Sequence, residues 1–355
     1  MPDGSTSVGT VLFRCDGTAA TGLGHTSRSL ALAEAFADAG YRAVFLGRFD
    51  AHVSSRLLSA GALVETLALP SWSLEEARTV AQAAHRVNAN GVVVDSYDVD
   101  PEYLAGVQSE AAPLLLIDDF GALAKYPCAA VLNFTSRAHE FPYPTETTRC
   151  YLGPRWFLGR RALRAQRARE PRPVGRVRHV LVTSGGNDPF DVVMPLLVAL
   201  ASCTPDVDVH VVVRPQYEHR DAVTALLASF AGETRILSQL PDLSAELGWA
   251  DLCLASAGLT KYEAAYLGVP AGVLSQNEGQ ALDAIRFQEL GMTVDLGAAD
   301  HIEPDQLGTR VHRLVHDAEL RASLRSHSLD VFPQDPTRDL AESLARDIFR
   351  RSATV

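Results

Sequence analysis

The sequence predicts an α/β protein built from two doubly wound parallel-sheet domains. Its 355 residues exceed what one hydrophobic core usually holds. From residue 10 to about 155, short continuously apolar runs alternate with helical patterns, and the alternation restarts at His179. Such strands, separated by helices, are typical of parallel sheets covered on both faces. We predict an N-terminal domain at 1–160, a linker at 161–177, a C-terminal domain at 178–335, and a helix at 336–355 that packs back on the first domain.

Composition and charge restrict the partners that the chain can bind. The formal net charge is −11, with 21% charged and 47% hydrophobic residues. Nucleic acids and anionic membranes are bound by basic surfaces, so neither is expected as a partner. The five cysteines are odd in number and widely spaced, which favours reduced thiols. A basic leader and an apolar run near the ~20 residues of a membrane span are both absent from the sequence. We expect a cytoplasmic protein, monomeric or homodimeric, that binds small molecules.

The first predicted element is a strand, a glycine turn and a helix. Residues 10–16 form an apolar run, residues 22–28 read Gly-Leu-Gly-His-Thr-Ser-Arg, and an apolar-periodic segment follows. The glycines allow a tight turn and close approach of a ligand, and the helix dipole favours negative charge there. His25 lies where that field disfavours an imidazolium, so a neutral, proton-accepting ring is one interpretation. Simple close packing of the glycines and a capping role for His25 are the alternatives.

Polar residues follow several of the later strands of the first domain. Asp16, Asp95 to Asp98, Asp118 with Asp119, and Asn133 each stand at the carboxyl end of an apolar run. In open parallel sheets, ligands bind at that edge. A single Asp at such a position is commonly a helix N-cap, whereas the whole set indicates a site. We predict that His25, Asp16 and Asp95 are catalytic.

A basic, proline-containing stretch at 160–178 separates the two alternating regions and predicts a solvated linker. The second domain then contains two glycine corners between a strand and a helix, at 183–187 and 256–260. Each corner would direct backbone N–H groups and a hydroxyl at one point, which suits a diphosphate. Glu263 follows the second corner. Its carboxylate can accept from two ribose hydroxyls, or it can form a capping box with Thr260.

Metal-ligand motifs are absent from the sequence. Neither Cys-x-x-Cys nor His-Glu-x-x-His occurs, and the pair His312 and His316 has no acidic partner placed to complete a site. We therefore expect no metal and no cofactor other than a co-substrate.

With both glycine corners, Glu263 and the first loop, the chain resembles the GT-B architecture, in which two Rossmann-like domains face a cleft. It is similar to the lipid-linked peptidoglycan N-acetylglucosaminyltransferase and to the UDP-sugar hydrolase of pseudaminic acid synthesis. The resemblance spans nearly the whole chain and is densest at 238–251, 256–263, 267–270 and 277–280. It implies an enzyme that takes a UDP-sugar as co-substrate.

Residue by residue, the resemblance implies a donor site on the second domain. The Leu240 backbone would read the uracil edge, Glu263 would hold the ribose, and Glu278 and Gln280 would contact the donor sugar. The first loop matches the hydrolase loop, in which the histidine is the base, at Gly22, Gly24, His25 and Arg28, with Gly24 close to the donor. The implied diphosphate cradle comprises Ser184, Gly185, Gly186, Ala257, Gly258, Leu259 and Thr260.

Two departures from the hydrolase pattern favour a transferase. The hydrolase has Asp-His-Tyr where this chain has Asp95-Ser96-Tyr97, and Glu-Asn-Gln where it has Glu278-Gly279-Gln280. Residues 133–144, rich in aromatic and polar groups, suit the wall of an acceptor site; a proline-rich surface loop is the alternative. Overall, the chain is similar to cytosylglucuronic acid synthases of nucleoside-antibiotic pathways, which join glucuronate from UDP-glucuronate to cytosine.

That similarity implies contacts for both substrates. A glucuronate carboxylate needs a cation, for which Lys261, Arg155 and Arg137 are candidates. Cytosine needs stacking and edge hydrogen bonds, for which the candidates are Tyr97, Phe134, Trp156, Asp98 and Asn133. We predict an inverting, metal-independent glycosyltransferase with His25 as base. A UDP-sugar hydrolase, an epimerase and a non-catalytic nucleotide-sugar-binding protein are the alternatives.

Overall fold

The computed structural model of the chain describes residues 8–18, 21–69, 71–108, 112–169, 173–185, 188–238 and 240–349. The chain divides into two compact units. Unit 1 comprises Met1–Arg161 and Asp335–Val355, and unit 2 comprises Ala162–Gln334. Among the described residues, no helix combines the length and the apolar character that crossing a membrane requires.

Each unit contains one sheet whose paired strands all run parallel. The strands of unit 1 are β1 (Gly9–Cys15), β2 (Tyr41–Gly47), β3 (Leu63–Thr66), β4 (Gly91–Asp95), β5 (Leu114–Ile117), β6 (Ala130–Asn133) and β7 (Arg149–Leu152). Those of unit 2 are β8 (His179–Thr183), β9 (Asp208–Val212), β10 (Thr234–Leu237), β11 (Leu252–Ser256), β12 (Ala271–Ser275) and β13 (Val294–Ala298). Their spatial orders are β3-β2-β1-β4-β5-β6-β7 and β10-β9-β8-β11-β12-β13. Both sheets are therefore doubly wound, as the sequence predicts.

Helices lie between most successive strands, and three more follow the last strand, β13. They are α1 (Gly24–Asp38), α2 (Ala51–Ser59), α3 (Leu74–Arg86), α4 (Pro101–Gln108), α5 (Arg161–Arg167), α6 (Val193–Cys203), α7 (Arg220–Leu227), α8 (Ser244–Trp249), α9 (Thr260–Leu267), α10 (Glu278–Glu289), α11 (Pro304–His316), α12 (Ala318–Val331) and α13 (Pro336–Ser343). Short 3-10 turns occupy Ala138–Glu140 and Pro154–Trp156, and a π turn occupies Leu344–Ile348.

The burial of the strands explains their sequence patterns. Every residue of β1, β4, β5 and β11 is buried, because helices cover both faces of each sheet. Side chains that point to either face therefore need to be apolar, and the runs are continuous rather than alternating. The edge strand β3 is exposed or half-buried along its length. Several polar residues stand at or beyond the carboxyl ends of the central strands, where the candidate sites lie. Arg14, inside β1, is a buried exception that pairs with Asp16 and Glu76.

The structure corrects the prediction of a wholly solvated linker at 161–177. The helix α5 begins this stretch and buries Leu163. The Gln166 side chain lies so close to Gly248 that an added Cβ there would overlap it, so α5 packs tightly against α8. Several basic residues of the stretch therefore lie on the exposed side of a short amphipathic helix. A run of positive charge alone does not distinguish such a helix from a solvated linker. Residues 170–172 of this stretch lie outside the described residues.

The C-terminal helix α13 belongs to unit 1, where it packs against α1. Its Thr337 hydroxyl accepts from the Gly159 N–H at 2.8 Å, and its Ser343 hydroxyl bonds that of Tyr151 at 2.9 Å. The Phe349 ring covers Gly91 in β4 so closely that a Cβ there would overlap it. The end of the chain therefore completes the first unit. Residues 350–355 of the predicted helix lie outside the described residues.

Candidate active site

The predicted motifs lie where doubly wound sheets bind ligands. In unit 1 the strand order reverses between β1 and β4, and in unit 2 it reverses between β8 and β11. At such a switch point the helices leave neighbouring strands on opposite faces, and a crevice opens at the carboxyl ends. Asp95 ends β4, and Ser256 ends β11. The chain therefore offers one candidate site on each unit.

His25 and Asp95 form the centre of the unit 1 site. His25 is the second residue of α1, and its Nδ1 atom lies 2.6 Å from Asp95 Oδ1. So short a contact with an ionised carboxylate requires a proton on Nδ1, which leaves the lone pair of the neutral ring on Nε2. The His25 side chain keeps 12% of its surface exposed, whereas that of Asp95 is fully buried. The pair has the geometry of a general base with its orienting carboxylate.

Three side chains converge on the Asp95 carboxylate. Arg28 donates from Nε to Oδ2 at 2.8 Å and from Nη2 to Oδ1 at 2.6 Å. The Ser29 hydroxyl donates to Oδ2 at 3.2 Å, and His25 is the third partner. Burial raises the pKa of Asp95, but Arg28 and His25 together outweigh burial and lower the pKa to about 2. Asp95 is therefore an anion at neutral pH and can stabilise a positive charge on His25.

Arg28 links Asp95 to a second carboxylate, Asp119, which the sequence analysis counted among the polar strand ends without giving it a role. Arg28 Nη1 donates to Asp119 Oδ2 at 2.6 Å, and the Tyr97 hydroxyl donates to the same oxygen at 2.6 Å. Asp119 follows β5, the strand beside β4, so its place at a strand end is the signal that points to it. One guanidinium thus faces two carboxylates, so the cluster beside His25 carries a net negative charge.

The glycine turn before α1 borders open space. Gly22 has a φ of +75°, a conformation that favours glycine. A Cβ added to Gly22 or Gly24 would meet no atom of the described residues within 4 Å. Close packing, one alternative for this turn, is therefore not the reason for Gly24. The helix α1 begins without a side-chain cap, so its first N–H groups and His25 face a region that a ligand can enter.

Asp16 does not have the predicted catalytic environment and is corrected to a positioning residue. Its carboxylate is buried and accepts from Arg14 Nη1 at 2.7 Å and from the Arg48 N–H at 2.8 Å. Arg14 and Arg48 also each donate to Glu76 at 2.8 Å. The Asp16 carbonyl accepts from Thr26 Oγ1 at 3.1 Å, which ties the end of β1 to the first turn of α1. Asp16 thus supports the loop that carries His25.

The side chains of two residues that were predicted to bind the acceptor are buried, so they are corrected to structural residues. Asn133 is buried; its Nδ2 donates to the Tyr143 hydroxyl at 2.8 Å, and its Oδ1 accepts from the Thr135 N–H at 2.9 Å. Phe134 is 1% exposed and packs edge-on against Phe157. Both side chains hold the loop after β6 in place, so neither presents a surface to an acceptor.

The other three acceptor candidates occupy different positions. Trp156 lies in the 3-10 turn after β7, three strands from β4, or about 14 Å at the usual strand spacing. It packs edge-on against Tyr151 and is corrected to a structural residue at the sheet edge. Asp98 is exposed, and its backbone N–H donates to Ser96 Oγ at 3.1 Å. Tyr97 contacts His25 directly, with ring centroids 4.4 Å apart.

The two glycine corners of unit 2 meet at the neighbouring ends of β8 and β11. The Ser256 hydroxyl donates to the Ser184 carbonyl. A Cβ added to Gly185, whose φ is +75°, would lie 3.6 Å from Ser256 Oγ and 3.7 Å from Thr260 Oγ1. A Cβ on Gly258 would meet only Ser256 Oγ, at 3.9 Å, among the described residues. Backbone and hydroxyl groups of both corners thus converge around an open point. Gly186, predicted as part of this cradle, lies outside the described residues.

The second corner leads directly into α9, whose first residue is Thr260. Leu259 is the N-cap residue and makes no side-chain cap, while the Ala257 side chain is buried below the corner. Thr260 is therefore not an N-cap, and the capping box with Glu263 is not formed. Glu263 lies one turn into the helix and is half-buried. The capping alternative for Glu263 is thereby removed.

Lys261 turns away from the predicted ligand position, and its assignment to the donor is corrected. The side chain is buried; its Nζ donates to the Ala257 carbonyl at 2.6 Å and pairs with Asp283 Oδ2 at 2.8 Å. A buried ammonium needs such partners because desolvation is unfavourable. By holding the Ala257 carbonyl, Lys261 fixes the shape of the corner.

The remaining donor candidates lie in two loops of unit 2. Leu240 is half-buried in the loop between β10 and α8. Glu278 is exposed at the first position of α10. Gln280 also supports that helix start, since its Oε1 accepts from the Gln276 N–H at 3.0 Å while its own N–H donates to Asn277 Oδ1 at 2.9 Å. Contacts of these residues with a donor remain predictions.

In the part of the chain that the structure describes, no group of three or more His, Cys, Asp or Glu side chains is arranged to hold a metal ion. The cysteines Cys15, Cys128, Cys150, Cys203 and Cys253 are free thiols, and burial raises the pKa of each of them.

Comparisons with known proteins support the fold and identify proteins of similar sequence. No family model matches the chain. The spore coat polysaccharide biosynthesis protein SpsG of Bacillus subtilis is 28% identical over 221 residues, which are 61% of this chain and 64% of that protein. The chain thus matches slightly less than two thirds of the length of this relative.

Two solved structures resemble the whole chain. MurG of Acinetobacter baumannii has a TM-score of 0.66 at 15% identity, covering 95% of this chain and 99% of that one. The UDP-GlcNAc 2-epimerase of Neisseria meningitidis, solved with UDP-GlcNAc bound, has a TM-score of 0.61 at 12% identity, covering 95% and 100%. With its two Rossmann-like parallel-sheet units, the chain has the GT-B fold, as predicted.

Proposed function

We propose that this chain is an inverting glycosyltransferase that moves a sugar from a UDP-sugar to a small acceptor, with His25 as the base. The observation that carries the proposal is the pair of His25 and the buried, ionised Asp95, with Nδ1 and Oδ1 2.6 Å apart. The named relatives support the substrate class: SpsG is a polysaccharide biosynthesis protein, and one structural neighbour holds UDP-GlcNAc.

In the proposed reaction, His25 Nε2 takes the proton of the acceptor O–H or N–H group. That group then forms a bond to the anomeric carbon of the donor, on the face opposite the diphosphate. The bond from this carbon to the diphosphate oxygen breaks, and its electron pair goes to the diphosphate. Asp95 lowers the energy of the imidazolium that results, since it is already an anion and already bonded to Nδ1.

The leaving diphosphate is proposed to bind to the two corners of unit 2. Thr260, at the start of α9, and the open faces of Gly185 and Gly258 offer backbone and hydroxyl donors around one point. Such donors at a helix N-terminus stabilise the charge that develops on a leaving phosphate without reorganising. We propose that Leu240 reads the uracil, Glu263 the ribose, and Glu278 and Gln280 the sugar. Metal ions have no part in the proposed chemistry.

UDP-glucuronate and cytosine are the specific substrates that we propose to test first. The sequence offered three cations for a glucuronate carboxylate. Lys261 is committed to the Ala257 carbonyl and Asp283, and Arg137 pairs with Glu140 at 2.8 Å. Arg155 is exposed but lies over the Trp156 ring in the same turn at the sheet edge, so it is not placed beside His25 either.

The test is UDP release from a panel of UDP-sugars that includes UDP-glucuronate, measured with and without cytosine and with EDTA in parallel. Release that requires cytosine and survives EDTA supports the transferase and its substrates together. Release that proceeds equally without an acceptor identifies a hydrolase, because the same dyad can activate water. Binding of UDP without release from any donor would leave a nucleotide-sugar-binding protein.

A further inference from the structure

Two exposed aromatic rings stand beside the candidate base. Tyr97 is 54% exposed and Phe120 is 52% exposed, and both lie in the loops that follow the buried strands β4 and β5. Their ring centroids are 4.8 Å apart, and their planes are tilted by 59°. Tyr97 also meets His25 edge-on, with centroids 4.4 Å apart. We call Tyr97 and Phe120 the aromatic corner.

The aromatic corner is held by the ends of two neighbouring strands. The Tyr97 hydroxyl donates to Asp119 Oδ2 at 2.6 Å, and Asp119 in turn is held by Arg28. The Phe120 N–H donates to Asp118 Oδ1 at 3.0 Å. These bonds fix the base of the corner, while the ring surfaces stay exposed. Aromatic rings that are fixed at their base and still leave about half of their surface exposed are typical of a binding site.

The charges around the aromatic corner favour one class of ligand. Asp98, the residue after Tyr97, is exposed, and Asp118 and Asp119 directly precede Phe120. Arg28 lies 5.8 Å from the centroid of Tyr97, but it is buried and donates to Asp95 and Asp119. Its charge is thus already balanced by two carboxylates. A ligand that carries a carboxylate or phosphate would be repelled here, whereas a neutral or cationic ligand would not.

We propose that the aromatic corner is the acceptor subsite, and that it selects an uncharged or cationic ring which stacks by its apolar face on Phe120 and Tyr97. A ring in this position brings its O–H or N–H group beside His25, the neighbour of Tyr97. Phe120 is then a specificity-determining residue that the sequence analysis did not single out. The inference rests on the proposed function of His25 but adds the acceptor class. Planar heterocycles and sugar rings share the required chemistry.

The experiment measures saturation transfer from the protein to the ring protons of four probes. Cytosine and methyl glucoside are the neutral planar and sugar probes, and orotate and methyl glucuronide are their anionic counterparts. UDP binding is measured on every variant by calorimetry. We expect transfer to at least one neutral probe, weaker transfer to its anionic counterpart, and an affinity that falls by about tenfold in Phe120→Ala, in line with loss of one aromatic stacking partner. The neutral probe that binds distinguishes a planar from a sugar acceptor.

Two further variants separate stacking from folding. Phe120→Trp keeps an aromatic face and should retain probe binding. Leu58→Ala, the control, removes an exposed apolar side chain elsewhere in the same unit and should leave probe binding unchanged. Retained UDP binding in all variants shows that each is folded. If wild-type protein binds UDP but transfers no saturation to either neutral probe, or if Phe120→Ala binds them as tightly as wild type, the acceptor subsite is wrong. If the wild-type protein does not bind UDP, the proposed function itself is wrong.

Discussion

The two candidate sites occupy the same place in two similar sheets, but one is built from charged side chains and the other from backbone groups and small hydroxyls. Between β1 and β4, ionisable side chains fill the site, and His25 and Arg28 each bond the Asp95 carboxylate at 2.6 to 2.8 Å. Between β8 and β11, the site consists of glycine backbone and small hydroxyls around Gly185. The difference indicates a division of work: side chains of tuned charge transfer a proton, and backbone donors hold an anion.

The largest effect is expected for Asp95→Asn. The amide keeps the shape of the side chain but has no charge to stabilise an imidazolium and can favour the wrong tautomer of His25. We expect kcat for UDP release to fall by about 10⁴-fold with UDP affinity unchanged. Steady-state kinetics and calorimetry measure the two quantities. Asp38→Asn, at an exposed ion pair with Arg161 in the same unit, is the control and should keep wild-type kcat.

Arg28→Met tests whether the unit 1 cluster depends on charge for its stability. The variant leaves Asp95 and Asp119 without the guanidinium that both contact at 2.6 Å. Removing one partner of a buried ion pair costs about 3–5 kcal/mol, which we expect as the loss in free energy of unfolding in urea. Arg86→Met breaks an exposed pair with Glu65 and should lower stability by less than about 1 kcal/mol. Equal losses in the two variants would mean that the cluster does not stabilise unit 1.

A smaller effect follows from the pKa of Asp95, which is lowered from 3.8 to about 2 in the folded chain. A carboxylate of lowered pKa stabilises the fold above its unfolded pKa and loses this contribution as the pH falls toward its folded pKa. The contribution is about 2 kcal/mol, and it should disappear between about pH 4 and pH 2. Urea unfolding across this range should therefore give a shallower pH dependence for Asp95→Asn than for wild type. Parallel curves for the two proteins would contradict the assigned ion pairs.

The smallest effect is expected in unit 2, where Gly185→Ala adds a methyl group at a φ of +75°. The left-handed conformation costs a non-glycine residue about 1–2 kcal/mol, and the methyl group would also narrow the cradle. We expect UDP to bind about tenfold more weakly by calorimetry. Gly308→Ala adds the same methyl group within α11, where it meets no described atom within 4 Å, and should leave UDP affinity unchanged. If Gly185→Ala binds UDP as tightly as the wild type, the assignment of the diphosphate to this corner is wrong.

The sequence was sufficient to predict the two sheets and the glycine corners between strand and helix, and it named His25 and Asp95 as candidates without predicting that they meet. These features follow from strand ends and helix starts, whose positions depend on local periodicity and glycine. Asp119 was counted among the polar strand ends, but its role was not predicted, because its bond to Arg28 depends on the reach of a side chain across a neighbouring strand. No local pattern encodes that distance.

The direction in which loop side chains point could not be predicted from the sequence either. Asn133 and Phe134 were predicted to face an acceptor, yet their loop folds so that the amide bonds Tyr143 and the ring packs on Phe157. Lys261 likewise bends back to Ala257 and Asp283. In each case the direction of the side chain depends on tertiary contacts. These contacts give a buried polar group its hydrogen bonds, or they bury an aromatic ring.

The most direct test of the account is UDP release by His25→Ala under donor and acceptor saturation, with UDP affinity measured on the same preparation. General base catalysis contributes about 10²–10⁴-fold, so we expect kcat to fall within that range. UDP affinity should be unchanged, because the nucleotide is assigned to unit 2. Wild-type turnover in a variant that still binds UDP would contradict the assignment of His25 as the base.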